Sequence, residues 1–289
     1  MTTPTAVLTG ATSGLGELAA IELARRGFAL VLIARSSARA AATRARIDSA
    51  APGTVVDVVA ADLADLDQVR RAGADIARRH PRIDVLINNA GLHAFSARTT
   101  PAGLPEMVTV NYLAPWVLTE ALRTTLIAAA PARIVTVASE ASRRHGTLDL
   151  PADLTDTAPF NARESSLRYG RTKLLDIMFS NELARRLAGT GVTANALDPG
   201  FNVTGLGREV RFAGAIERVL KTLRVGDPRR GTAGIVRLAT DPALAGRTGG
   251  YYSAKTGKAL TAVAPAGDAA AERELWKHTA ELVGSPDAG

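Results

Sequence analysis

Apolar residues along the chain fall into short unbroken runs, separated by longer stretches in which they recur every three or four positions. Ala6-Val7-Leu8-Thr9, Ala29 to Ala34 and Val55 to Ala60 are runs of the first kind. Their lack of alternation predicts strands covered on both faces, the habit of parallel sheets. Asp84 to Ile87, Arg133 to Ser139 and Val192 to Leu197 continue the series, and Gly249 to Ser253 reads as an edge strand. Between these runs the spacing predicts helices ending near Gly27 and His80, then over Leu104 to Ala129, Tyr169 to Leu187, Arg229 to Thr240 and Ala270 to Val283. Strand and helix alternating through the whole length predict an α/β fold: a doubly wound, mostly parallel seven-stranded sheet in three layers, α/β/α. Residues 1–289 read as a single domain.

Four of the strand exits carry candidate chemistry. The first strand runs straight into Gly10-Ala11-Thr12-Ser13-Gly14-Leu15-Gly16 and then a helix. Glycines there permit a tight turn and let backbone N–H groups approach a pyrophosphate at the positive end of the helix, which is the Rossmann-type dinucleotide arrangement. The second strand is followed at once by Arg35, and no acid occurs between Glu22 and Asp48. An acidic residue at that strand end would hold a ribose 2′-hydroxyl, whereas an arginine accommodates a 2′-phosphate, so NADP(H) is expected over NAD(H). Asp62-Leu63 leaves the third strand where an adenine would lie, although Asp62 also suits a helix cap. Asn88-Asn89-Ala90-Gly91 ends the fourth; paired amides can tie strand ends together, and small residues let a cofactor lie close, though a plain turn uses the same residues.

Further along, Asn111 sits in mid-helix with Pro115 four residues later, a pattern that predicts a kink. Ser139 stands at the carboxyl end of the fifth strand, outside which ligands bind in open α/β sheets; a strand-end cap is its alternative role. Residues 140–168 are polar and proline-bearing and read as a substrate loop, with 201–224 as a flap. Tyr169 and Lys173 lie four apart on a predicted helix, so phenol and ammonium share one face about 5–6 Å apart at Cβ. Only five of the 35 basic residues are lysines, and Lys173 is the first of them; a compact point cation has been kept where arginine would not substitute. The same spacing at Tyr251 and Lys255 falls in an extended run, which separates the two side chains.

Composition narrows the function classes. The chain is 46% apolar with no cysteine, which excludes disulfides, thiolate nucleophiles and Cys-ligated metals. The formal charge of +7 comes from arginines scattered in helix patterns, so a solvated basic surface is expected rather than a nucleic-acid interface. No apolar run reaches membrane-spanning length, and a cytoplasmic protein without a membrane partner is expected. His93, His145 and Glu140 lie in loops near the expected pocket, but their spacing makes neither a metal site nor a triad, and they read as surface residues.

Taken together, TGATSGLG at 9–16, NNAG at 88–91, Asn111, Ser139, Tyr169 with Lys173, and Pro199-Gly200 resemble the short-chain dehydrogenase/reductase family in order and spacing. The 140–168 gap, Asp198-Pro199-Gly200, Gly250-Tyr251-Tyr252-Ser253 and Glu274-Leu275-Trp276 look like its retinol-dehydrogenase-like and WW-domain-oxidoreductase-like branch. The resemblance implies roles. Tyr169 would be the general acid for carbonyl reduction. Lys173, together with an oxidised nicotinamide, would lower its pKa by roughly 3 units, which needs about 4 kcal/mol. Lys173 would also hold the nicotinamide ribose, Ser139 the substrate oxygen, Asn111 a water relaying protons to Lys173, and Thr204 the carboxamide. The implied activity is carbonyl–alcohol interconversion on an apolar small molecule. A nucleotide-binding regulator or scaffold with vestigial chemistry, and a carbon–carbon double-bond reductase, are the alternatives. A homodimer or homotetramer through the Leu104 and Tyr169 helices is expected by the same resemblance.

Overall fold

The computed structural model describes residues 3–200 and 228–285, so the expected flap 201–224 lies outside the described residues. Strands β1 (Thr5–Thr9), β2 (Ala29–Ala34), β3 (Val56–Ala60), β4 (Val85–Asn88), β5 (Ala132–Val137), β6 (Val192–Asp198) and β7 (Tyr251–Ser253) form one sheet in the order β3-β2-β1-β4-β5-β6-β7. Every pairing is parallel: Val7 lies beside Val31 on one side and Leu86 on the other. The order reverses between β1 and β4, so a crevice opens there at the strand carboxyl ends.

Helices cover both faces. On one lie α1 (Gly14–Arg25), α2 (Ser37–Ala50) and α8 (Pro228–Thr240). On the other lie α3 (Leu66–Arg79), α5 (Ala114–Ala128), α7 (Ala162–Arg186) and the last helix, α9 (Ala269–Val283). Asp65, not Asp62, caps α3, accepting from the Asp67 and Gln68 backbone N–H groups.

Three expectations are corrected. The long helix over 104–129 is divided into α4 (Glu106–Val108), a π-type turn at Thr109–Leu113 and α5; the Ala114 N–H reaches back five residues to the Thr109 carbonyl. Pro115 has no N–H to give the Asn111 carbonyl, which accounts for the local widening of the helix. The segment 140–168 is not a continuous loop. It holds a 3₁₀ turn (Glu140–Arg144) and a short helix, α6 (Ala152–Thr155), and α7 begins seven residues before Tyr169. That early start is fixed by Asn161 and Glu164, which form a reciprocal cap: the Asn161 side chain accepts from the Glu164 N–H, and the Glu164 carboxylate accepts from the Asn161 N–H. Ser139, finally, stands two residues beyond β5 and caps the 3₁₀ turn.

Nine consecutive residues of α7, Thr172 to Ser180, are buried, which a surface helix with one apolar stripe cannot achieve. The sheet covers one side and α9 much of the other. Trp276 of α9 packs tilted against Trp116 at 5.2 Å and stacks on Phe179 at 5.9 Å, with the Arg186 guanidinium 4.5 Å from its ring. The Tyr112 hydroxyl lies 2.6 Å from that of Thr279, and the buried Glu272 carboxylate pairs with Arg185 and accepts from the Asn181 amide. The outer face of α7, and Trp116 of α5, therefore meet a helix of the same chain. Trp276→Ala should cost about 3–5 kcal/mol, as expected for emptying a large aromatic site, and the check is the urea midpoint; an unchanged midpoint would show that α9 adds little to the fold.

Candidate active site

The β1 and β4 ends are locked by a small polar cluster. The Thr9 hydroxyl accepts from the Asn89 and Ala90 N–H groups at 3.0 and 3.1 Å, and the Asn89 amide donates to the Thr9 and Gly10 carbonyls at 3.1 and 3.3 Å. A Cβ on Gly16 would collide with that amide and with the Gly10 carbonyl. Glycine is thus required at 16 for close packing of turn against strand end, and Gly16 lies beneath the turn rather than on its open side. The tie between strand ends expected of the asparagines is made by Asn89, while the Asn88 amide donates to Thr119 at 3.1 Å.

Above this lock lies a cleft of about 840 Å³. Gly10, Thr12, Ser13, Gly14 and Leu15 line its floor beside Asn89, Ala90 and Gly91. Arg35, Asp62 and Leu63 stand at one end, together with Ser36 and Arg39; Ser139, Tyr169, Lys173, Pro199 and Gly200 stand at the other. Arg35 is 74% exposed and lies 3.6 Å from the Asp62 carboxylate, a surface pair that contributes little to stability and leaves the guanidinium reachable from solvent. Thr204 lies outside the described residues.

Tyr169 and Lys173 face one another as their spacing required, the Lys173 Nζ lying 5.9 Å from the phenol ring centroid. The ammonium is buried, at 4% exposure, and donates to the Val137 carbonyl and to Asp176 Oδ2, each at 2.9 Å. Asp176 is itself 1% exposed. Burial alone would drive Lys173 toward its neutral amine; the Asp176 carboxylate outweighs it and holds the lysine pKa above its ordinary value. Burial pushes the Asp176 carboxyl up to about 6, with Lys173 opposing.

The phenol behaves otherwise than expected. Burial raises the Tyr169 pKa; Lys173 pulls it down, but Asp176 and Asp198 push it further up, and the net shift is upward. In the protein by itself, Lys173 does not make Tyr169 acidic.

Ser139 and Tyr169 are brought together through Gly170. A Cβ there would come within 2.6 Å of the Ala141 and Arg144 carbonyls, so only glycine lets the 3₁₀ turn lie directly on α7. The Ser139 hydroxyl accepts from the Ala141 N–H at 3.1 Å, which is the capping role left open by the sequence, while the same residue lines the cleft. Asn111 is not part of the cleft wall. Its amide donates to the Leu92 carbonyl and Thr172 hydroxyl at 2.9 Å and accepts from the Leu92 N–H at 2.8 Å, stapling the segment after Gly91 to the helices.

The sequence reading missed one residue at this site, Asp176, and misread another, His93. Asp176 left a signal, a lone acid inside Leu174-Leu175-Asp176-Ile177-Met178-Phe179, which on a buried helix calls for a partner. His93, placed near the pocket by the sequence, is not the surface residue expected: its imidazole stacks on the Tyr169 ring, with centroids 4.6 Å apart and planes 17° from parallel.

Comparison with known proteins places the chain among the oxidoreductases. The sequence model of the family described as short chain dehydrogenase matches residues 4–149. Human retinol dehydrogenase 13 is 34% identical over 288 residues, covering 97% of this chain and 84% of the relative. A Streptomyces sp. (strain C5) protein provisionally named daunorubicin C-13 ketoreductase is 35% identical over 281 residues, covering 97% and 92%. Among solved structures, one from Beutenbergia cavernae, provisionally named an NAD(P)-dependent gluconate 5-dehydrogenase and holding NADP at low occupancy, aligns with a TM-score of 0.67. It is 29% identical, covering 87% of this chain and 94% of that one. The chain belongs to the short-chain dehydrogenase/reductase family. Among the described residues no helix is long and apolar enough to cross a membrane, and no cluster of His, Asp or Glu could hold a metal.

The Asp176 shift carries a sign that can be checked. Its folded pKa, about 6, lies above the unfolded model value of 3.8, so the folded state holds the proton more tightly. The stability this contributes is present below the unfolded value and is lost as pH rises through about 6. Urea midpoints of the wild type should therefore fall, relative to Asp176→Asn, as pH climbs from 4 to 7; parallel curves would refute the shift.

Proposed function

We propose that this protein is an NADP(H)-dependent oxidoreductase that interconverts a carbonyl and an alcohol on an apolar small molecule, with Tyr169 as general acid/base. The observation that carries this reading is the pairing of the Tyr169 phenol with a buried ammonium on the wall of a cleft that continues to the glycine turn. The retinol dehydrogenase and ketoreductase names of the relatives support the same reaction class, and the NADP in the Beutenbergia structure supports the cofactor.

The residues present fit a phosphorylated dinucleotide. The small residues of the turn leave its backbone open to a pyrophosphate, and Arg35 and Arg39 share the end where a 2′-phosphate would lie. Once bound, the nicotinamide would supply hydride to the carbonyl carbon and, when oxidised, a positive charge beside the phenol. That charge answers the upward shift of Tyr169: the protein raises the phenol by burial and leaves the decisive lowering to the filled cleft. Meanwhile Lys173 stays an ammonium because Asp176 neutralises it, and Tyr169 can pass its proton to a substrate oxygen held near Ser139. An apolar substrate suits this end of the cleft, where Leu92, Val110 and Pro199 stand close by.

The face of α7 covered by α9 supports a monomer rather than a dimer or tetramer built through that helix. Light scattering across a hundredfold range of concentration tests this: a constant mass near 30.1 kDa is expected, and a stable dimer cross-linked through α7 would overturn it.

Purified protein with NADPH and a panel of hydrophobic aldehydes and ketones should consume absorbance at the reduced-nicotinamide band. Tyr169→Phe should lower kcat by about 10²–10⁴, and undiminished turnover would remove Tyr169 from the mechanism. Mass and NMR analysis of the product separates carbonyl from double-bond reduction; tight NADPH binding without turnover would favour the regulator. Arg35→Ala should raise the NADPH KM by roughly tenfold, the worth of one charge-assisted contact, while leaving the NADH KM unchanged.

A further inference from the structure

The segment that follows Gly91 returns across α7 and places an imidazole on the proposed catalytic phenol. His93 stacks near-parallel on Tyr169 and also on Phe95, with ring centroids 4.6 Å apart in both cases. Its Nε2 lies 2.9 Å from the Ser165 hydroxyl. That hydroxyl donates its single proton to the Ala94 carbonyl at 2.6 Å, in a fully buried bond. Ser165 must therefore accept from Nε2–H, which fixes the tautomer of the imidazole. Ser165 and Tyr169 are four residues apart on α7 and share a face. One imidazole thus touches both members of an i, i+4 pair, gripping the first by a hydrogen bond and the second by its ring face.

We propose that His93 is a positioning residue for Tyr169: anchored to α7 through Ser165, its imidazole holds the phenol ring at the cleft wall in one orientation. The inference rests on the reaction proposed above and deepens it. A phenol that passes a proton must reach a substrate oxygen within hydrogen-bond distance, and tyrosine has two side-chain torsions by which it can swing away. The Lys173 ammonium lies 5.9 Å from the ring centroid, and the imidazole stacks on the ring with centroids 4.6 Å apart. Asn111 completes the device from below, since its bonds to both the N–H and the carbonyl of Leu92 fix the residue next to His93. The sequence pattern at 88–91 ends two residues before His93, so nothing in the motif itself announces the clamp.

The test uses His93→Ala, His93→Phe and Ser165→Ala in the full chain. In NADPH oxidation with an aromatic aldehyde panel, His93→Ala should lose roughly tenfold in kcat, the scale of a small misplacement of an acid–base group, with KM and the fluorescence-measured NADPH Kd within twofold of wild type. His93→Phe keeps a flat ring on the phenol and should recover most of that loss; Ser165→Ala should fall between them. A purely structural role would instead lower thermal stability and NADPH affinity together and would not be rescued by phenylalanine. A second arm needs no substrate. The chain has four tyrosines, and in protein labelled with 3-fluorotyrosine the Tyr169 resonance is identified by its loss in Tyr169→Phe. The stacked imidazole should displace that signal by its ring current, so His93→Ala moves it toward the unfolded position and His93→Phe does not. Wild-type kcat in His93→Ala, or a Tyr169 signal indifferent to it, overturns the proposal. If the wild type reduces no carbonyl at all, the proposed reaction fails, and the fluorine signal alone then decides whether the clamp exists.

Discussion

The candidate site depends on keeping one charge alive where water has been removed. Lys173 sits at 4% exposure, and an ammonium so placed loses its proton unless something answers the charge. Asp176 answers it from the next turn of the same helix, and the Val137 carbonyl takes a second donor from the end of β5. The arrangement ties the helix that bears the phenol to the strand that leads to Ser139. It also has a cost, because Asp176 raises the very phenol that Lys173 would lower. The carboxylate bonds the ammonium directly, and in the protein by itself the phenol stays above its ordinary value. A further positive charge in the cleft would favour the phenolate over the phenol and so lower the Tyr169 pKa, the more so because burial around the ring weakens screening by water.

A second constraint sets where the cleft opens. Because β1 and β4 are the strands at which the sheet order reverses, their ends diverge, and the divergence has to be controlled. Thr9 and Asn89 do so with backbone and side-chain bonds across a sequence separation of 80 residues, and Gly16 lets the following helix descend onto them without a side chain in the way. Turn, strand end and amide form one unit. The glycine at 170 performs the same service at the other end, letting the 3₁₀ turn after Ser139 rest its carbonyls on α7. In both places the missing Cβ brings two segments into register, and the chemistry-bearing side chains sit on either side of the contact.

Much of this could be read from the sequence, and the division between what could and could not is physical. Unbroken apolar runs gave away the parallel strands, since a strand buried on both faces has no polar side to show. Tyr169 and Lys173 were legible because helical spacing turns a four-residue interval into a contact. Pro115 announced a disturbance at Asn111, though not that it takes the form of a π-type turn. The start of α7 was hidden for a different reason: Ala162 to Arg168 is mostly exposed, so it carries no apolar period, and its only mark is the Asn161–Glu164 cap. Asp176 stood out as an acid in an apolar run, but its partner lies on its own helix at an interval used equally by surface pairs. His93 was placed near the pocket but read as a surface residue, since stacking depends on the path of an irregular segment that no periodicity encodes.

The placement of α9 follows the same logic and bears on the chemistry. An amphipathic tail is visible in the sequence, yet its pattern does not say which surface it covers, because the complementary residues Trp116, Phe179 and Arg186 lie 90 or more positions earlier. Its position means that α7 is held from the sheet side and from the outer side by one chain. A helix gripped on both sides cannot roll, and rolling α7 by a few degrees would move the Tyr169 hydroxyl by an appreciable fraction of a hydrogen-bond length. In a subunit assembly that uses these helices, such support would come from the neighbouring copy and would vary with concentration. Here Trp276 and Glu272 supply such support to α7 from within the chain.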